Sequence, residues 1–173
     1  MNGVGNGFIA MPNETESVPG VGAFLSAVTS EFGSVRDALR DDIEKKRWQV
    51  KTQETFTQGN DNTTLERLHT YISGCSRVVC LVGARSGSIP PRDASQEFLH
   101  RYERWLPEGI PQPSYTQWEF IFAEALDKER FVFHPLDMRW RPDVADPEYD
   151  DPDLQGRFVT WLFETRGLNR NSF

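Results

Sequence analysis

The stretch PSYTQWEFIFAEAL, residues 113–126, sets one carboxylate, Glu119, near the start of an otherwise apolar segment. A single carboxylate can carry glycosyl chemistry when the bond to be broken is already activated. The nicotinamide–ribose bond of NAD is such a bond, because neutral nicotinamide leaves without needing a proton. A carboxylate against the ribose hydroxyls would steady the oxocarbenium-like charge, as in glycoside hydrolysis generally. This chemistry needs no metal. The bland alternative is a boundary residue that enjoys the positive start of a helix. The segment alone leaves both open.

The segment reads as a helix with a defined beginning. Ser114 is a natural N-cap and Gln117 follows three residues later, where a capping box takes Glu or Gln. Pro113 can staple onto Trp118. Trp118, Ile121, Phe122, Ala125 and Leu126 fall at i, i+3, i+4, i+7 and i+8, which predicts one buried stripe. At 3.6 residues per turn Glu119 is then expected at the edge of that stripe.

Other chemistries find less support. The chain has neither a GxxxxGK[ST] loop nor a GxGxxG after its first strand, so ATP hydrolysis and standard dinucleotide binding are not indicated. Gly83-Ala84-Arg85-Ser86-Gly87 places its serine fourth, so it is not a nucleophile elbow. His69, His100 and His134 show no ligand spacing, and Cys75 and Cys80 form no metal or CxxC pattern. No metal site is expected. Asp41-Asp42 and Asp150-Asp151 read as solvated charges.

The elements that position Glu119 alternate. Residues 21–28, VGAFLSAV, read as a buried strand ending in the hydroxyls Ser26, Thr29 and Ser30. SVRDALRDDIEKK, capped at Gly33 or Ser34, predicts an amphipathic helix on Val35, Leu39 and Ile43. A strand over 48–56, a turn-rich loop through Gln58 to Asn62, and a helix on Leu65, Leu68, Tyr71 and Ile72 that stops at Gly74 come next. RVVCLVGA, residues 77–84, is the pattern of a central parallel strand. An irregular insertion over about 88–112 precedes the Glu119 helix. Strand 129–136, a Pro/Asp loop at about 137–152 and an amphipathic helix on Leu154, Phe158, Trp161 and Leu162 complete the series. Such alternation implies a parallel sheet with helices on both faces and right-handed crossovers. Ligands of open sheets sit beyond the carboxyl ends of the strands, and the Glu119 helix is expected to begin on that rim.

Bulk properties bound the rest. At 173 residues the chain suits one domain, expected over 21–166, with a flexible tail over 1–20. A net charge of −7 argues against nucleic acid and anionic membranes as partners. No apolar run reaches the roughly 20 residues of a membrane span, and no secretory signal is evident. Two cysteines without a pairing pattern suit a reducing, cytoplasmic setting.

Taken in order, these motifs resemble Toll/interleukin-1 receptor (TIR)-like domains. The resemblance is closest to an uncharacterised TIR-like family at the N-termini of STAND/NACHT-type NTPases and repeat proteins. AFLSAVTSEFGSVRDALRDDI resembles that family's opening strand and helix, and TLERLHTYISGCSRVVCLVGARSG its second helix and central strand. PSYTQWEFIFAEAL resembles the TIR pattern of Ser, Trp, then Glu-hydrophobic-x-x-Ala. The chain departs in having Trp118 and Glu119 adjacent and in the insertion before the helix.

The resemblance implies an α/β fold, a three-layer α/β/α sandwich on a mostly parallel flavodoxin/TIR-like sheet of four to five strands. It implies a signalling or defence effector that cleaves NAD when oligomerised, with Glu119 catalytic and NAD as substrate rather than bound cofactor. By position, Ser26, Ser30, Arg85 and Ser86 would hold the phosphates, and Trp118 or Phe56 would stack on a base. The loop Gln58 to Asn62 matches the one that gates the cleft and mediates self-association. Residues 167–173 would enter a fifth strand or a linker to downstream NTPase or repeat domains. The rival expectations are a non-catalytic self-association or docking module, and a nucleotide sensor without turnover.

Overall fold

The computed structural model describes residues 22–53, 63–135, 151–165 and 171–172. In chain order the strands are β1 (Gly22–Ala27), β2 (Gln49–Lys51), β3 (Arg77–Leu81), β4 (Glu129–His134) and β5 (Asn171–Ser172). The helices are α1 (Thr29–Lys45), α2 (Thr64–Ser73), α3 (Arg92–Arg101), α4 (Tyr115–Ala125) and α5 (Pro152–Thr160). A 3-10 turn, Glu103–Trp105, follows α3, and a π turn, Trp161–Thr165, follows α5.

The five strands are all parallel, in the order β2-β1-β3-β4-β5. This is the flavodoxin-like order, and the all-parallel pairing is the one the alternating elements imply. Its centre is β1, buried along its whole length and paired to β3 with Ser26 opposite Cys80. Side chains alternate across the sheet. Phe24, Val78, Cys80 and Val132 pack in the larger core with α2 and α4, whereas Ala27, Leu81 and Phe133 pack against Phe32, Val35 and Leu39 of α1. Helices thus cover both faces.

Helix starts are chemically marked. Thr63 and Glu66 form a capping box on α2, and Ser114 and Gln117 form the expected one on α4. Asp151 caps α5 ahead of Pro152. At the other end of the sheet, the turns into β2 and β4 use Arg47 and Asp127 in the left-handed region, at φ 65° and 52°.

Several boundaries differ from expectation. Helix α1 begins at Thr29, five residues before Ser34, because the hydroxyl run after β1 is the helix's first turn; a local break at Phe32 (φ −126°, ψ 18°) separates it from the rest. The second strand spans only Gln49–Lys51, and residues 54–62 lie outside the described residues. Strand β3 stops at Leu81; Val82 still donates its amide to the Phe133 carbonyl of β4, and from Gly83 onward the chain is held by α1, α4 and α5. The insertion contains a ten-residue helix, α3, whose Phe98 joins the core together with Tyr102 just beyond it. The expected loop over 137–152 lies outside the described residues apart from Asp151 and Pro152.

Candidate functional site

Strand order reverses between β1 and β3, and there the rim holds a cavity of about 360 Å³. That volume falls in the range of small-molecule sites. Ala27 and Val28 floor it at the end of β1, and Gly87 and Ser88 wall it after β3. Thr29 and Ser30 come from the first turn of α1, Tyr115 and Thr116 from the first turn of α4. Two helix starts therefore border one cavity, each bringing the positive end of its dipole and a hydroxyl-bearing turn. Ser114 and Gln117 cap the α4 start, while the N-cap residue of α1, Val28, supplies no side-chain cap.

The loop from Gly83 to Ser88 is built into this rim. Thr116 donates its hydroxyl to the Ser86 carbonyl at 2.8 Å, and the Tyr115 amide donates to the Ser88 carbonyl at 3.0 Å. Gly87 adopts φ +76°, and a Cβ there would press Thr116 and Val28 at 3.2 Å. Glycine is therefore required at that bend.

Glu119 lies behind the cavity rather than in it. The sequence places it at the edge of an apolar stripe, but α4 is buried without interruption from Gln117 to Ala123. Such a helix has no polar back, because the sheet takes one side while α2, the α3 segment and α5 cover the others. The carboxyl is 2 % exposed, and its Oε2 has no hydrogen-bond partner. Burial pushes its pKa up to about 8, against the opposing pull of the Ser26 hydroxyl and, more weakly, of Arg36. At neutral pH the group is mostly protonated. Cys80, opposite Ser26, is pushed up to about 12, by burial first and by Glu119 second. A hollow of about 10 Å³ lies beside this cluster, lined among others by Ser26, Cys80, Thr116 and Gln117. It has room for about one water and not for a sugar. Val28 and Thr116 line both spaces and form the partition between them.

The remaining expected site residues scatter. Ser30 lines the cavity. Ser26, at 3 % exposure, and Arg85, at 4 %, border the small hollow behind it. The Arg85 guanidinium donates to the Ser30 carbonyl at 3.3 Å. Ser86 is fully buried; its hydroxyl donates to the Gly87 carbonyl and accepts from the Asp151 amide. It holds the loop together instead of presenting itself to a phosphate. Trp118 cannot stack on a base, because it is sealed among Phe98, Tyr102 and Phe122. Phe56 and the loop Gln58 to Asn62 lie outside the described residues. Sequence reasoning missed Gln53, Tyr115 and Thr116 of the cavity wall and, behind it, Glu31. Gly83, two residues past β3, was the available signal for Glu31. Among the described residues no cluster of His, Cys, Asp and Glu could hold a metal ion, and no helix is long and apolar enough to cross a membrane.

A family model described as a domain of unknown function (DUF4062) matches residues 22–151, well over half of the chain. A comparison with curated proteins gives no match. Among solved structures, a diflavin flavoprotein A3 from Nostoc sp. is 13 % identical and covers 91 % of this chain and 80 % of its own. Its TM-score is 0.38, so the fold rests on the strand order itself.

Proposed function

We propose, from the premise that this chain belongs to the DUF4062 family, that it is a TIR-like signalling or defence effector domain. It takes NAD or a related nucleotide in the rim cavity and cleaves the nicotinamide–ribose bond when oligomerised. The observation that carries this reading is the 360 Å³ cavity at the β1/β3 switch point, bordered by two helix starts. Anionic phosphates suit the α1 turn at Thr29 and Ser30.

Glu119 is the group offered for the chemistry. In the closed chain it is neutral and walled off, so the isolated domain is silent. Clustering that parts Val28 from Thr116 rehydrates the carboxyl, lowers its pKa and turns it into a carboxylate facing the ribose. Water then adds to the anomeric carbon as nicotinamide leaves, giving ADP-ribose and one proton; where a hydroxyl of the substrate adds instead, the product is cyclic.

The burial of Glu119 favours a second reading, a self-association or partner-docking module without turnover, of which a nucleotide sensor is the ligand-binding form. The deciding experiment follows nicotinamide release from NAD by the monomeric and the artificially oligomerised domain, beside Glu119→Ala and Glu119→Gln. Release by the clustered wild type alone supports the enzyme. Release that both variants retain removes Glu119 from the chemistry. No release from the clustered wild type leaves the module, and saturable NAD binding without product makes it a sensor.

A further inference from the structure

Glu31 is a carboxylate with no exposure at all, in the first turn of α1. A charged group so placed persists only when it is paired or fully hydrogen-bonded. Its Oε1 accepts from the Ala84 amide at 2.8 Å and its Oε2 from the Arg85 amide at 3.1 Å, on a loop more than 50 residues away. Gly83 makes room for this. A Cβ on Gly83 would stand 2.2 Å from Glu31 Oε1, so any side chain there evicts the carboxylate.

The contact runs both ways. Arg85 reaches back to the Ser30 carbonyl, one residue before Glu31. The first turn of α1 is detached from the rest of its helix by the break at Phe32. Its position is therefore set by the loop it grips more than by the helix it opens. That turn supplies Thr29 and Ser30 to the cavity, and the loop supplies Gly87 and Ser88. Two other helices tether the same loop, α4 through Thr116 and α5 through Gln155, which donates to the Gly83 carbonyl at 2.8 Å.

We propose that Glu31 is the positioning residue of the rim site. It clamps the α1 turn to the loop after β3 and so fixes the distance between the walls that a phosphate-bearing ligand must bridge. It lines no part of the cavity and touches no ligand. The inference deepens the reading of that cavity as a nucleotide site and rests on it for its ligand.

The test uses Glu31→Ala, Glu31→Gln and Gly83→Ala in the domain, with NAD as probe. Amide hydrogen exchange and calorimetric titration are the readouts. In Glu31→Ala the Ala84 and Arg85 amides exchange at least 100-fold faster while Leu25 and Val79 keep their protection, and NAD affinity falls at least tenfold. Glu31→Gln keeps one acceptor, protects one of the two amides and loses less affinity. Gly83→Ala reproduces the Glu31→Ala pattern and adds nothing to it in the double variant. Unchanged protection in Glu31→Ala, or additive effects with Gly83→Ala, overturns the clamp. Faster exchange with undiminished NAD affinity also overturns it, leaving Glu31 a purely structural tie. If the wild type binds no NAD, the nucleotide reading fails separately, and the exchange pattern and its non-additivity still decide the clamp.

Discussion

Glu119→Gln should make the protein more stable at neutral pH, and by an amount that depends on pH. The carboxyl has a pKa of about 8 in the folded chain, against 4.5 when exposed. Folding therefore favours the protonated form. Its stabilising balance is complete below pH 4.5 and is lost as pH rises towards 8, with a slope of about 1.4 kcal/mol per pH unit. At pH 7 the accumulated loss is about 3 kcal/mol. Glutamine has the same shape, does not titrate, and puts its amide where Oε2 already lacks a partner. Wild type and variant should match near pH 4.5 and diverge by about 3 kcal/mol at pH 7. Urea unfolding followed by circular dichroism from pH 4.5 to 8 measures this, and a slope of about 1–3 kcal/mol/M converts the gap into a midpoint shift of about 1–3 M. Parallel pH profiles would refute the reasoning. So would a wild type more stable than the variant at pH 7, since that result requires an ionised Glu119 held by Arg36.

Two further outcomes are expected. Ser114→Ala removes the side-chain half of the α4 capping box and should cost about 1 kcal/mol by urea titration; no loss would mean the helix start is set by its burial alone. His69, whose pKa burial and then Arg101 hold below the usual imidazole value, accepts or donates at 2.7 Å to the Tyr102 hydroxyl. The unfolded chain protonates it first, so stability should fall as pH drops below 6.5 and level off below the folded pKa. His69→Gln should flatten that acid limb, and an unchanged limb would place its origin elsewhere.

Much of the architecture was legible because it is local. The β-branched run at Val78 and Val79, the 3.6 period of α2 and the Ser114–Gln117 box each announce an element within a few residues. The start of α1 was ambiguous because Thr29 and Ser30 suit a strand end as well as a first turn, and Gly33 imitates a boundary inside the helix. The insertion's helix was obscured by the prolines on either side of it, although Phe98 and Tyr102 stand four apart.

The candidate site was less legible, because its decisive facts are non-local. Helix α4 looks amphipathic alone, but once folded its Trp118 and Phe122 pack on Phe98 and Tyr102 while Glu119 turns to Ser26 and Cys80 of the sheet, which makes an edge residue an interior one. Glu31 looks like an ordinary acidic residue of a first turn. Its partners at Ala84 and Arg85 emerge only when β1 and β3 are neighbours. Trp118 failed as a stacking platform for the same reason, since a ring at N4 of a buried helix is drawn into the core.

The left-handed bends at Arg47 and Asp127 lead into β2 and β4, and so lie across the sheet from the cavity. Both residues are exposed. They offer attachment points for a chemical cross-linker or an immobilisation handle. Copies tied together there keep their rims unobstructed, so crowding can be imposed from outside and the response of the ligand-facing side observed directly.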